Sequence, residues 1–241
     1  MRLFEHTCPT PSEDVAYDEA LLDLAEAGDE PFEALRLWES AAPAVVVGRS
    51  SSLAAELREA ACLARGVPIL RRSSGGTAVV IGPGCLMYSV VLCYDVRPHL
   101  RSIDETHRFV LSTVLEGVRT WMPDARREGT SDLVVGDRKF SGNSLRCRRR
   151  HLLYHGTLLY GFDLGAVTEL LGTSPPRQPE YRAGRPHRDF LANLDVRPEL
   201  LRLGLRRAFD AQSATFDVTG TEAFAAALRR TCDPQWTRRV P

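Results

Sequence analysis

The residue best suited to do chemistry in this chain is marked by its isolation. Of 31 basic residues in 241, thirty are arginine, and Lys139 is the one lysine. Arginine can fill nearly every surface role of lysine, so a chain with this bias keeps lysine where a compact ammonium with three donors is needed. Gly136-Asp137 reads as a tight turn just before it, joining two short strands. On the returning strand, alternation puts Lys139 and Ser141 on one face and Phe140 on the other, while Gly142 leaves space for a ligand or a close backbone. A second group is Arg71-Arg72-Ser73-Ser74-Gly75-Gly76-Thr77, running into the apolar Ala78-Val79-Val80-Ile81. Adjacent glycines let the backbone approach a ligand and turn several N–H groups into one concavity, and Arg72 can fork onto a carboxylate or phosphate. The pattern is neither G-x-x-x-x-G-K-[ST] nor G-x-G-x-x-G, and by pattern alone such Arg-Ser-Gly clusters are more often plain turns. Asp132 is either a functional carboxylate or a local turn contact at the start of a hairpin. His155, in His155-Gly156-Thr157, is either a site residue or a satisfied core histidine.

These residues must be held by an alternating set of elements. Asp14 to Ala27 carries apolar positions at helical spacing, with acidic residues early, as a helix N-terminus prefers. Ala34 to Trp38 and Ala44 to Val47 read as two strands joined by a turn, and Arg49 to Arg65 as one amphipathic helix closed by Gly66. Val67 to Leu70 is a strand that delivers the glycine loop to a sheet end. The run 78–81 is expected to pair with Cys85 to Leu92 as a hairpin across Gly82-Pro83-Gly84. Ile103 to Trp121 is the longest periodic helix, with Phe109, Val110, Val114, Leu115 and Val118 in one stripe for core packing. Arg146 to Arg150 reads as a solvated loop, followed by a strand from His151 to Tyr160.

Composition narrows the function classes. The 31 basic residues balance 31 acidic ones, so no global field holds nucleic acid or an anionic membrane surface. No stretch approaches the roughly 20 apolar residues of a membrane helix, and the N-terminus lacks an export pattern, which places the protein in the cytoplasm. Length and a 44% hydrophobic content fit one domain over 1–241. Six scattered cysteines, at 8, 62, 85, 93, 147 and 232, lack paired metal-ligand spacing and read as buried thiols.

Arg71-Arg72-Ser73-Ser74-Gly75-Gly76, Ser131-Asp132-Leu133-Val134-Val135, Gly136 to Asn143 and His155-Gly156-Thr157-Leu158-Leu159, in this order, resemble the lipoate-protein ligase A and octanoyltransferase family. Trp38, the segment Pro43 to Arg49 and Gln235-Trp236 extend the resemblance over nearly the whole chain. It implies an α+β, biotin-ligase-like (class II synthetase-like) fold: a mixed, mainly antiparallel sheet flanked by helices, beside a smaller second sheet. It also implies ATP-dependent activation of lipoate or octanoate as an acyl-adenylate and transfer to a lysine of a lipoyl carrier domain, from a 2-oxoacid dehydrogenase E2 or a glycine cleavage H-type protein. Lys139 matches the family lysine that contacts both acyl carboxylate and α-phosphate. By the same resemblance Arg72 would hold phosphate, and Thr77, Ala78, Val79 and Val80 would supply backbone N–H groups beside Ser74, Gly75 and Gly76. Ser141, Gly142, His155, Gly156 and Thr157 would complete the substrate and ATP site, with Asp132 orienting Mg2+ or the incoming amine.

The chain departs from the ligase pattern at Thr77, Ile81, Gly82 and Ser131, where ligases carry a third glycine, a His-Asp pair and an asparagine. It is expected to have no C-terminal accessory domain, and so either to work with a separate accessory subunit or not to be a complete ligase. The enzyme rival is an ATP-independent octanoyltransferase working from octanoyl-acyl carrier protein through a cysteine thioester, for which Cys147, between Arg146 and Arg148, is the substitute nucleophile. A non-catalytic acyl- or lipoyl-binding homologue is the third reading, and the retained sole lysine argues against it.

Overall fold

The computed structural model describes residues 1–172 and 178–239. In chain order the elements are β1 (Arg2–Phe4), α1 (Pro11–Ala27), β2 (Ala34–Trp38), β3 (Ala44–Val47), α2 (Leu53–Glu56), α3 (Glu59–Ala64), β4 (Ile69–Arg71), β5 (Val79–Ile81), β6 (Cys85–Cys93) and α4 (Ile103–Arg119). They continue with β7 (Arg126–Glu128), β8 (Asp132–Val135), β9 (Arg138–Cys147), β10 (His151–Leu159), α5 (Leu164–Leu170), α6 (His187–Phe190), α7 (Pro198–Ala208), β11 (Gln212–Ser213), α8 (Glu222–Cys232) and α9 (Pro234–Arg238). Short 3-10 turns lie at Pro98–Arg101 and Glu180–Arg182. The large sheet has the order β11-β1-β2-β6-β10-β9-β8-β7, and the small one β4-β3-β5. In the large sheet only β1 pairs in parallel, with β2 and β11, so it is mixed and mainly antiparallel, as the resemblance implies.

Period-2 alternation sorts the large sheet into two faces. Leu35 and Leu37 of β2, Leu86, Tyr88 and Val90 of β6, and Leu152, Tyr154 and Leu158 of β10 form one core with Val110, Leu111, Val114 and Val118 of α4. Each such side chain, fully buried, contributes about 1.5–3 kcal/mol. The other face carries the rows Arg36-Ser89-His155 and Trp38-Met87-Thr157, set side by side by strand register. That face looks toward α1 and the small sheet. Polar groups here need partners, and α1 supplies them. The helix starts on a capping box, in which Thr10 and Glu13 satisfy each other's backbone N–H. Its buried Asp14 and Asp18 pair with Arg36, at 2.5 and 2.8 Å.

Three expectations are corrected. The run 78–81 does not form a hairpin with the next strand: β5 pairs with β3 in the small sheet, while β6 lies between β2 and β10. The chain changes sheets at Gly84, where φ is +85° and a Cβ would overlap Gly161. The single helix over 49–65 is two short helices. Between them Leu57 bridges to Leu171, Arg58 N–H donates to Leu170 O, and Gly172 N–H donates to Glu56 O, so main-chain hydrogen bonds leave the helix for another segment. Arg146 to Arg150 is no solvated loop either. Arg146 and Cys147 finish β9, Arg148 pairs with Asp23 at 2.6 Å, and the Glu26 carboxylate accepts from the backbone N–H groups of Arg149, Arg150 and His151.

Burial alone would raise the Asp18 carboxyl, but Arg36, with His155 and Ser89, outweighs it and holds Asp18 below the usual carboxylate range. A depressed value stabilises the fold above the unfolded-state pKa of about 3.9, and that contribution disappears as pH falls through the lower folded-state value. Asp18→Asn should therefore cost about 3 kcal/mol in urea unfolding at pH 7. Its stability should also fall less than the wild type's between pH 5 and pH 2, about the ordinary carboxylate range. Identical acid limbs for the two proteins would refute the assignment.

Candidate functional site

Lys139 opens the return strand β9, and its position depends on an irregularity there. Lys139 pairs with Val134 and Ser141 with Leu133, so Phe140 is an extra residue that turns inward to the core. The strand is steadied from outside: Ala192 N–H donates to Lys139 O at 2.9 Å, and Leu191 bridges to Lys139. Lys139 Nζ lies 2.7 Å from Asp132 Oδ1 on β8. The other oxygen of that carboxylate accepts from the Tyr181 hydroxyl at 2.8 Å. Burial, with Asp132 beside it, holds Tyr181 well above the ordinary tyrosine value, so its hydroxyl keeps the proton it donates. A Cβ at residue 142 would stand 2.9 Å from Nζ and 3.0 Å from Cε of Lys139. The absence of a side chain at Gly142 thus makes room for the lysine itself, where both cavities reach it.

The glycine loop is arranged from behind by its arginines. Arg72 Nε donates to Ser74 Oγ at 3.0 Å, Nη1 to Val46 O at 3.0 Å, and Nη2 to Thr77 O at 3.0 Å and to Gly75 O. Four donor contacts are committed to the loop and β3, so Arg72 sets the loop's shape, and one N–H of the guanidinium is left at the border of the larger cavity. Arg71 is buried in the same manner, against the carbonyls of Gly48, Ser51 and Thr237. The N–H groups expected from 77–80 are also partly occupied. Ala78 N–H donates to the buried carboxylate of Glu56 at 2.6 Å, and Val79 and Val80 belong to the ladder with β3.

His155 joins α1 to this loop. Its Nδ1 lies 3.6 Å from Asp18 Oδ2, and its Nε2 lies 2.6 Å from Ser74 Oγ. A carboxylate only accepts, so in the neutral ring Asp18 fixes the proton on Nδ1 and Nε2 accepts from Ser74 Oγ–H. Ser74 in turn accepts from Arg72 Nε. Arg72, Ser74 and His155 thus form a line of contacts from the loop to Asp18, which accepts from Arg36 on its other side at the sheet centre. On the same side, Asn143 overlies Gly156 where a side chain would collide, and Thr157 Oγ1 accepts from Gly142 N–H at 3.1 Å.

Two cavities meet at Lys139. The larger, about 560 Å3, has an apolar floor of Val15, Trp38, Val46, Ile81 and Met87 and is bordered by Arg72, Gly76, Asp132, His155 and Gly156. The smaller, about 100 Å3, is lined by Ala78, Val80 and Ser141 and by Glu56, Arg182 and His187. Thr77, Val79, Lys139, Gly142 and Thr157 line both, forming a waist with the ammonium in it. Ser74 and Gly75 line neither and act through the loop. Burial, with Arg182 and Lys139 nearby, pushes His187 down to about 4, so it is neutral near pH 7 and its Nε2–H donates to Gly172 O at 3.0 Å. Glu56, Tyr181, Arg182 and His187 were not marked by sequence. They come from a broken helix and from the irregular stretch 178–190, where no periodicity or glycine pair singles them out.

Each oxygen of Asp132 already has one partner, Lys139 Nζ on Oδ1 and the Tyr181 hydroxyl on Oδ2, which leaves one lone pair on each for the magnesium or amine expected of it. Among the described residues no three or more His, Cys, Asp or Glu side chains are grouped to hold a metal. Cysteines are also absent from the lining of both cavities among the described residues. Cys147 is exposed at the far end of β9, eight residues from Lys139, or about 26 Å along an extended strand.

Comparison with known proteins bears on this geometry. The model of the lipoyl protein ligase A/B catalytic domain matches residues 10–198. The putative lipoate-protein ligase A of Aeropyrum pernix is 31% identical over 169 residues, covering 70% of this chain and 61% of that protein. The octanoyl-[GcvH]:protein N-octanoyltransferase of Kyrpidia tusciae is 34% identical over 173 residues, covering 64% of this chain and 58% of that protein. The chain thus spans less than two thirds of the length of these curated relatives. Among solved structures, that of a bi-partite lipoate protein ligase and its E2 lipoyl domain from Thermoplasma acidophilum has a chain that superposes with a TM-score of 0.80 at 23% identity, over 98% of this chain and 95% of its own.

Because the chain has one lysine, 15N-lysine labelling gives a single side-chain ammonium resonance. Held by Asp132, that ammonium should exchange slowly with water; in Gly142→Ala and in Asp132→Asn its exchange should be at least about tenfold faster, with the thermal midpoint little changed. An unchanged exchange rate in Gly142→Ala would show that the glycine is not what seats the lysine.

Proposed function

The chain belongs to the lipoyl protein ligase A/B catalytic-domain family, and we propose that it is a lipoate-protein ligase, activating lipoate or octanoate with ATP and passing the acyl group to a lysine of a lipoyl carrier domain. The observation that carries this reading is the placement of the sole lysine at the waist between an apolar cavity and a cavity with a cationic wall. The acyl chain lies in the larger cavity. The paired row from Trp38 through Met87 to Thr157, which abuts Gly142, gives it a floor of about 14 Å at the strand spacing. The acyl carboxylate then reaches Lys139, with the nucleotide on the side of the smaller cavity.

In the first step a carboxylate oxygen attacks the α-phosphorus and pyrophosphate leaves. Two anions must approach each other, and an ammonium fixed between them offsets the repulsion and stabilises the charge that develops in the transition state. In the second step the neutral amine of the carrier lysine attacks the acyl carbonyl, AMP leaves, and the amine gives up a proton. Lys139 polarises that carbonyl, and Asp132, already beside it, orients the incoming amine.

The carrier is a lipoyl domain of E2 or H type. Support comes from the Thermoplasma ligase, studied with its E2 lipoyl domain, and from the Kyrpidia transferase, named for GcvH. The bi-partite organisation of the former also supports a separate accessory subunit for this chain. No described helix is long and apolar enough to cross a membrane. The similarity to the Kyrpidia transferase favours ATP-independent octanoyl transfer as the second reading. Against it, no cysteine lines either cavity among the described residues.

With MgATP, octanoate or lipoate, and an acceptor lipoyl domain, the wild type should release pyrophosphate and raise the acceptor mass by one acyl group. Lys139→Met should lower both by about 100-fold or more. Transfer from octanoyl-acyl carrier protein without ATP would replace the ligase reading by the transferase one.

A further inference from the structure

Arg182 ends the short turn Glu180–Arg182, outside every motif that sequence reading singled out, yet it lines the smaller cavity together with Lys139. It is 3% exposed, and no carboxylate pairs with it among the described residues. Its Nε donates to Arg185 O at 2.9 Å, and its guanidinium carbon stands 4.7 Å over the Phe190 ring. Its Nη2 is buried with no hydrogen-bond partner among the described residues. A buried, unpaired charge with an idle donor is costly, and proteins keep such a group where an anion completes it.

The charges around it point the same way. Lys139 is countered by Asp132 at 2.7 Å, and Tyr181, adjacent in the chain to Arg182, caps that carboxylate. Glu56 lines the same cavity, but its carboxylate is bound to Ala78 N–H. His187, also on this wall, is neutral near pH 7 and turned to Gly172 O. Arg182 is therefore the positive charge of the smaller cavity with no carboxylate in salt-bridge contact among the described residues; Asp132, paired with Lys139, acts on it only from farther away.

We infer that Arg182 is the second cation of the site, a direct ligand of the nucleotide phosphate that acts with Lys139 from a separate wall of the cavity. The inference rests on the adenylation reading above. It assigns the two cations different work: Lys139, at the waist, serves acyl carboxylate and phosphate together, whereas Arg182 serves only the nucleotide. Removing Arg182 should thus weaken ATP and leave the acyl acid alone.

The test is a comparison of Arg182→Met and Arg182→Lys with the wild type. Calorimetry gives the affinities for ATP and for octanoate separately, and pyrophosphate release gives KM and kcat. Arg182→Met should weaken ATP binding about 10- to 100-fold, as loss of a charge-assisted phosphate contact does, with octanoate affinity within about twofold. Arg182→Lys should recover part of the loss by restoring the charge. An active wild type whose ATP affinity is unchanged in Arg182→Met would overturn the assignment and leave the ligase reading standing. Equal weakening of both ligands in both variants would mean that Arg182 only supports the stack on Phe190. A wild type that binds octanoate but no ATP would overturn the adenylation reading and this assignment together.

Discussion

The guanidinium of Arg36 is the group on which the arrangement of this protein depends. It sits in the middle of β2 with no exposed surface, sandwiched by Tyr17 and Trp38, and its N–H groups go to Asp14, Asp18, the carbonyl of His6 and that of Asp14. A buried cation of this kind is tolerable only when its donors and its charge are both answered. The requirement locks α1 onto one face of the large sheet. Through Asp18, 3.6 Å from His155 Nδ1, it also places the ring whose Nε2 meets Ser74 Oγ and so braces the glycine loop. The loop's shape is therefore decided at the sheet centre, several residues away from any ligand.

The ion pair at the waist follows the opposite logic. Lys139 is about a quarter exposed, and its partner Asp132 is held from the far side by Tyr181. A short pair at a cavity wall keeps the ammonium in one place without sealing it off, so an incoming anion can share it at little desolvation cost. Arg71 and Arg72, by contrast, spend most of their donors on backbone carbonyls and on Ser74, holding the loop in shape. Three kinds of cation thus surround one loop: arginines that build it, a lysine that faces both cavities, and Arg182 without a counter-ion. The planar five-donor guanidinium suits the first task and the compact ammonium the second, which gives the arginine-for-lysine bias of the chain its one exception a structural sense.

Some of this was readable in the amino-acid sequence, and the reason is locality. The uniqueness of Lys139, the Ser-Ser-Gly-Gly loop, the turn at Gly136-Asp137, the stripe of α4 and the strands at Ala34–Trp38 and Ala44–Val47 are all set by residue types within a few positions of one another. The ordered motifs were enough to imply the family fold, and the sheet order agrees. What failed were pairings decided at long range. β5 looked like half of a hairpin because it precedes β6 by a glycine-rich turn, but its apolar side chains fill the small sheet's core beside Val45 and Val46. The helix over 49–65 had the right periodicity and was broken by hydrogen bonds from residues 170–172.

The sequence by itself determined the chemical inventory: one ammonium, a loop able to bend around an anion, a carboxylate and a histidine at fixed offsets. Those follow from side-chain chemistry and backbone freedom, which belong to single residues. Tertiary structure alone decided which groups are spent and which are free. Arg72 is consumed by the loop it was expected to serve, Ala78 N–H is taken by Glu56, and Asp132 is shared by Lys139 and Tyr181. Arg182 is left in a cavity without a counter-ion among the described residues. A donor's availability is the difference between what it can bond and what packing has already given it, and that difference exists only once distant segments are brought together.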